Sequence, residues 1–200
     1  MKRIITLLAL LLTVFSTLFP AIKGFASGNG QVETPDLRVQ ATLSIMTTQE
    51  KIGQLFLVTF TGSTADNTSQ IYDLIYNHSV GGVVLLNAND NFTSTPDTIK
   101  NTQKLISDLQ RIDWEKSKVY IFNEVTNSNK LGNYIPLFVG ISQDGDGYPN
   151  DQLLSGLTPL PSQMAIGATW QPELSRKVGQ VAGKELSKLG FNLFFGPSLD

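Results

Sequence analysis

The chain has 200 residues, with 15 Lys and Arg against 17 Asp and Glu, a formal net charge of −2 and no cysteine. The lack of cysteine excludes disulfides, thiol nucleophiles and thiolate metal sites. The acidic balance argues against nucleic acid and anionic membrane surfaces as partners.

The first residues read as a targeting segment. Lys2 and Arg3 are followed by an apolar run over residues 4–15, interrupted only by Thr6 and Thr13. Pro20 ends the apolar stretch, and Gly24-Phe25-Ala26 supplies the small residues of a cleavage site. The clean apolar core is shorter than the roughly 20 residues a spanning helix needs. A signal peptide over residues 1–26 is therefore expected, with cleavage after Ala26, export from the cytoplasm and no stable membrane insertion afterwards. A lipid-anchored precursor would need a cysteine at the cleavage point. Cleavage removes three of the basic residues, Lys2, Arg3 and Lys23, and makes the mature part more acidic. Residues 27–45 read as linker and lead-in, and residues 46–200 as the folded domain.

Helical and strand signals then alternate. Thr47-Thr48-Gln49-Glu50 is a capping-box pattern that predicts a short helix through Gln54. Leu55 to Phe60 is nearly all apolar and predicts a strand covered on both faces. Ile71, Leu74 and Ile75 mark a helical face ending near Asn77. Gly81-Gly82 leads into a second buried strand, Val83 to Leu86. Thr95 as cap and Pro96 as first residue predict a longer helix, with Ile99, Leu105, Ile106, Leu109 and Ile112 at helical spacing. Val119 to Phe122 can form a strand, whereas Asn127 to Asn133 reads as loop. Leu137 to Ile141 is the next strand. Pro172 opens a helix whose apolar face carries Leu174, Val178, Val181, Leu186 and Leu189, and Gly190 ends it. Phe191 to Phe195 forms a last strand, stopped by Gly196-Pro197.

Strands alternating with helices predict a parallel α/β architecture, either a doubly wound open sheet or the start of an eight-stranded barrel. A barrel takes about 250 residues, so only its N-terminal part would be present. In both architectures active sites gather at the carboxyl ends of the strands.

Several chemistries are absent or weak. Thr61-Gly62-Ser63-Thr64 after the first strand has neither a dinucleotide nor a P-loop spacing. His78, the one histidine, has no nucleophile-elbow motif to serve and reads as structural or solvated. Ser142-Gln143-Asp144-Gly145-Asp146-Gly147 resembles a calcium loop only in part, since Leu153 stands where a bidentate Glu is required. It reads instead as an acidic loop at a strand end, suited to hydrogen-bonding sugar hydroxyls. Asn67, Asn77 and Asn91 head three N-glycosylation sequons.

Four stretches, in order, resemble the N-terminal barrel domain of family 3 glycoside hydrolases. They are Met46-Thr47 through Gln54-Leu55, Gly81 through Leu85, Pro136 through Gly145, and Leu160 through Trp170 with the helix that follows to Asn192. Gly196-Pro197-Ser198-Leu199-Asp200 is similar to the pattern's continuation. The resemblance implies a TIM-barrel-like fold and a retaining glycosidase acting on terminal β-linked glucose or N-acetylglucosamine in oligosaccharides or cell-wall glycans, with no metal or organic cofactor. It places the catalytic residues beyond Asp200, so none is assigned. It makes Ser142, Asp144 and Asp200 the substrate-binding candidates. Ser142 stands where the family usually carries an aspartate, Asp144 replaces a glutamate and Asp146 a glycine. These departures keep open a non-catalytic relative that binds a glycan or a partner at the cell surface. An open-sheet exported binding protein has only the general βα pattern behind it.

Overall fold

The computed structural model of the chain describes residues 36–93 and 95–197. The signal segment, its cleavage point and Asp200 lie outside the described residues.

Two short helices come first. α1 (Leu37–Ile45) forms within the lead-in and buries none of its residues. α2 (Thr48–Gly53) starts where the capping box predicts. Thr47 Oγ1 accepts from the Glu50 amide at 3.1 Å, and Glu50 Oε2 accepts from the Thr47 amide at 2.8 Å. The apolar run that follows departs from expectation. Backbone bonds from Leu55 to Ile52 and from Phe56 to Gly53 hold those residues in the turn that ends α2. Only Leu57–Val58 forms β1, and Leu55 is 82% exposed. Val58 packs against the core while Leu57, on the other face, is 44% exposed, so the apolar character of β1 does not signal cover on both faces.

α3 (Gln70–Tyr76) is N-capped by Ser69 and buries Ile71 and Ile75. β2 (Gly82–Val84) follows, then a 3-10 turn at Asn87–Asn89. α4 (Thr98–Ser117) begins later than the Thr95-Pro96 signal predicts. Thr98 Oγ1 donates to the Thr93 carbonyl and Asn101 Nδ2 to Thr93 Oγ1, so side chains of the first turn reach back past Thr95. The predicted face of α4 holds, with Leu105, Ile106, Leu109 and Ile112 all buried.

The segment expected to be a loop after Asn127 is half of a hairpin. β3 (Tyr120–Asn123) pairs antiparallel with β4 (Ser128–Leu131). Asn123 makes the turn: its Oδ1 accepts from the amides of Val125 and Thr126 at 2.8 and 3.2 Å. Asn127 then takes the left-handed conformation, φ 50°, that asparagine tolerates better than most residues. β5 (Phe138–Ile141), α5 (Gln163–Ala168), α6 (Pro172–Leu189) and β6 (Leu193–Phe194) complete the elements.

The four remaining strands form one parallel sheet in the order β1-β2-β5-β6. Spatial order follows chain order with no reversal. A doubly wound sheet has a switch point where the order reverses, and a barrel has none. The order is that of a barrel.

The register separates two faces. Val58, Val83 and Val139 share a row, and Val83, Leu85, Val139 and Ile141 are fully buried against α3, α4 and the last turn of α6. Leu57, Gly82 and Phe138 share the opposite row, followed by Val84, Gly140 and Leu193. On this second face Leu57 and Phe138 remain 44% and 53% exposed. α6 is buried only at Leu186 and Leu189, and Leu174 is exposed. The apolar face predicted for this helix exists, but its first turns have no cover among the described residues.

Candidate substrate-binding edge

The carboxyl ends of the parallel strands open into loops whose side chains hydrogen-bond to backbone. Asn91, 1% exposed, ties the ends of β1 and β2 together. Its Oδ1 accepts from the Leu86 amide at 2.8 Å, and its Nδ2 donates to the carbonyls of Phe60 (3.0 Å) and Gly62 (2.7 Å). Both N–H groups and the oxygen of this buried amide are engaged internally, so the sequon at Asn91 has no free side chain to offer in the folded state. From β2 the chain of contacts passes to the loop after β5, where Gln152 Oε1 accepts from the Asn87 amide at 2.9 Å.

That loop is braced from within. Gln143 mimics a strand partner: its Nε2 donates to the Leu153 carbonyl at 3.0 Å and its Oε1 accepts from the Leu153 amide at 3.1 Å. Asp151, buried, accepts from the amides of Gly145 (2.7 Å) and Gly147 (3.0 Å). A buried carboxylate needs such donors, since an unsatisfied charge there costs several kcal/mol. The acidic loop predicted from sequence is thus an ordered turn closed by its own carboxylate. Among the described residues no group of three or more metal-ligating side chains forms here or elsewhere.

Ser142 and Asp144 are brought together at the mouth of the edge. Ser142 Oγ donates to Asp144 Oδ2 at 3.2 Å, and Gln163 Nε2, from the first turn of α5, donates to Asp144 Oδ1 at 3.1 Å. A Cβ placed on Gly196, just beyond β6, would lie 2.7 Å from Asp144 Oδ1. The carboxylate therefore sits where the ends of β5 and β6 meet. It is half-buried, with each oxygen held by one neutral donor and with no ion pair among the described residues. Each oxygen keeps a further acceptor position, which is what a sugar hydroxyl pair needs.

Sequence reasoning named Ser142 and Asp144, which the structure brings together, and Asp200, which lies outside the described residues. It did not assign Gln163, Asn91, Asp151 or Gln152 to the site. Gln163 carries a signal in retrospect: it follows Ser162, the N-cap of α5, whose Oγ accepts from the Ala165 amide. His78 is solvated and pairs with Asp73 at 3.5 Å, away from this edge.

A cleft of about 720 Å³ runs beside β6 under α6. Asp144 and Gln163 stand at one end, but its walls are Leu160, Pro161, Ile166, Val178, Ala182 and Leu186. A channel with this lining suits apolar chain and not a hydroxyl-rich sugar. The candidate site is its polar end.

Comparison with known proteins agrees with the fold. The Glycosyl hydrolase family 3 N terminal domain matches residues 47–200. A beta-hexosaminidase A of Pseudoalteromonas piscicida is 25% identical over 134 residues, which are 66% of this chain and 19% of that protein. The solved structure of a glycoside hydrolase family 3 β-N-acetylglucosaminidase from Paenibacillus sp. str. FPU-7 superposes with a TM-score of 0.62 at 30% identity, covering 78% of this chain and 24% of that one. A fungal multi-domain β-N-acetylglucosaminidase of the same family gives 0.61 and 30%, over 76% of this chain and 15% of its own. The chain spans about a fifth of the curated relative's length and a quarter or less of these structures. The fold is TIM-barrel-like, and the sheet β1-β2-β5-β6 is part of such a barrel.

Proposed function

Since the chain belongs to glycosyl hydrolase family 3, we propose that it is the sugar-gripping part of an exported retaining glycosidase, whose catalytic carboxylates lie in sequence beyond Asp200. The substrate is a glycan ending in β-linked N-acetylglucosamine, with β-linked glucose the other candidate. The 30% identity to two β-N-acetylglucosaminidases supports the amino sugar. In a retaining mechanism one carboxylate attacks the anomeric carbon and forms a glycosyl-enzyme, while a second acid protonates the departing oxygen. Water then releases the sugar with its configuration kept.

One observation carries the assignment of this edge: Asp144 is fixed by Ser142 and Gln163 at the carboxyl ends of adjacent parallel strands. Its part is to accept from sugar hydroxyls and hold the ring. Ser142 orients it, and Asp200 remains the third substrate-binding candidate. Hydrogen bonds from hydroxyls to a carboxylate are charge-assisted and about twice as strong as neutral ones.

The test is hydrolysis by the whole protein of the p-nitrophenyl β-glycosides of N-acetylglucosamine and glucose, with the first anomer released read by NMR. Turnover of the amino sugar with the β-anomer first is expected. Asp144→Asn is expected to raise KM about tenfold, the equivalent of one charge-assisted bond. Inversion would overturn the mechanism, and an unchanged KM would overturn the role of Asp144. Ser142 in the usual aspartate position favours a second reading, a relative that binds glycan without cleaving it. Saturable binding of N-acetylglucosamine with no turnover would select it. A mature N-terminus at Ser27 in the exported fraction is the matching test of export.

A further inference from the structure

The loop that follows β5 carries more than Asp144. Its two limbs run side by side. Gln143 and Asp151 form an isolated antiparallel bridge, and the Gln152 amide donates to the Ser142 carbonyl at 3.4 Å. The Asp144 amide donates to the Asn150 carbonyl at 3.5 Å, which leaves residues 145–149 as the tip between the limbs.

The tip is fixed residue by residue. Gly145, Asp146 and Gly147 take the left-handed conformation in succession, with φ of 88°, 71° and 71°. The two glycines adopt it without steric cost. The Gly145 and Gly147 amides are held by the Asp151 carboxylate, and the Asp146 amide donates to the Leu160 carbonyl at 2.8 Å. The Gly147 carbonyl accepts from the amides of Asn150 and Asp151, each at 2.8 Å. A Cβ on Gly145 would lie 2.4 Å from the Pro161 carbonyl oxygen, so the tip is seated against the segment before α5. On this braced turn Tyr148 stands 77% exposed.

A single exposed ring is ordinary on a protein surface. Tyr148 is set apart by its place, on the same loop as Asp144 and at the carboxyl ends of the strands. Asn150 lies directly across the loop from Asp144, and the two residues from there to Tyr148 span at most about 7 Å. A sugar ring next to the one that Asp144 grips is within reach of the tyrosine.

We propose that Tyr148 is the platform on which the second ring of the glycan stacks, and that it makes this edge prefer oligosaccharides to simple glycosides. The inference rests on the glycan-binding reading of the edge and adds a chain-length preference to it. A β-linked glucose or N-acetylglucosamine ring keeps its substituents equatorial and presents flat C–H faces, which pack on the face of an aromatic ring. Tyrosine supplies that face with only two side-chain torsions to fix, and its hydroxyl is a polar tip. A loop held rigid before the sugar arrives loses little entropy on binding.

The test compares two substrates of the whole protein, the methyl β-glycoside of N-acetylglucosamine and the disaccharide of β-linked N-acetylglucosamine. KM is expected to be about fivefold lower for the disaccharide, the equivalent of one aromatic stack. Tyr148→Ala should erase that advantage, and Tyr148→Phe, which keeps the ring, should preserve it. If the protein binds glycan without cleaving it, the same comparison is read from calorimetric affinities for the two sugars, so a failed glycosidase and a failed platform give different results. Equal values for one ring and two in the unmodified protein would overturn the platform. So would an advantage that survives Tyr148→Ala, one lost in Tyr148→Phe, or a weakening by Tyr148→Ala that is equal for both sugars. Lack of affinity for either sugar would overturn this inference together with the reading it rests on.

Discussion

Asn91 shows how much a single amide can organise. It joins three backbone groups from two strand ends, the carbonyls of Phe60 and Gly62 and the amide of Leu86, and its removal takes this partner from all three. Each net hydrogen bond contributes about 1 kcal/mol, and an orphaned buried group costs about 1–3 kcal/mol. Asn91→Ala is therefore expected to destabilise the chain by about 2–4 kcal/mol in urea denaturation. A loss under 0.5 kcal/mol would show that the loops hold without it. Asp144 uses the same chemistry to another end. Its two donors orient the carboxylate without exhausting it, so substitution there should touch sugar affinity more than stability.

At the scale of elements, two close approaches decide where helices end. Gly53 ends α2 with its backbone against the segment before β2, where the Gly81 amide donates to its carbonyl at 3.0 Å. A Cβ on Gly53 would lie 2.1 Å from the His78 carbonyl oxygen, so only glycine permits this contact. Gly190 ends α6 in the left-handed region, φ 104°, with a would-be Cβ 2.8 Å from Ile106 Cγ2. Ile106 lies on the buried face of α4, so the turn is pressed against the core and has little room to relax. Gly190→Ala is expected to cost about 1–3 kcal/mol, read as a lower thermal midpoint. An unchanged midpoint would mean that the α6–β6 turn tolerates a shift of backbone. The hairpin belongs to this scale too. Its strands were only half legible, because the turn depends on the Asn123 side chain reaching two amides ahead, which no hydrophobic period reports.

Across the whole molecule the sheet has one dry face and one open face. The helices cover Val83, Val139 and Ile141 completely, while Leu57, Phe138 and Phe195 on the other side stay at least 42% exposed. Contiguous apolar surface of this kind binds dyes and neighbouring chains, and unpaired sheet edges add to the tendency. The isolated 200-residue chain is expected to bind an environment-sensitive hydrophobic dye and to self-associate as concentration rises. Phe138→Thr, a half-exposed position, should reduce both while changing stability by less than about 1 kcal/mol. Weak dye binding by a monodisperse chain would show that this face is covered in solution.

The sequence by itself determined the elements whose causes are local. The capping box of α2, the faces of α3 and α4, the Pro172 start and Gly190 stop of α6, and the pairing partners' apolar character all follow from neighbours within a few residues. It also carried Ser142 and Asp144, because a polar loop directly after an apolar strand must fall at a sheet edge. The tertiary structure alone decided what depends on distant chain. It showed that β1 is open on its Leu57 face although apolar, that the first turns of α6 lack cover among the described residues, and that Gln163 comes back across 19 residues to hold Asp144. Burial and long-range hydrogen bonds are properties of the neighbours a residue acquires on folding. The cluster of Glu50, Asp113, Lys116 and Lys130 is the sharpest case, since its four charges come from three separate stretches, α2, α4 and β4, and none carries a sign of the others.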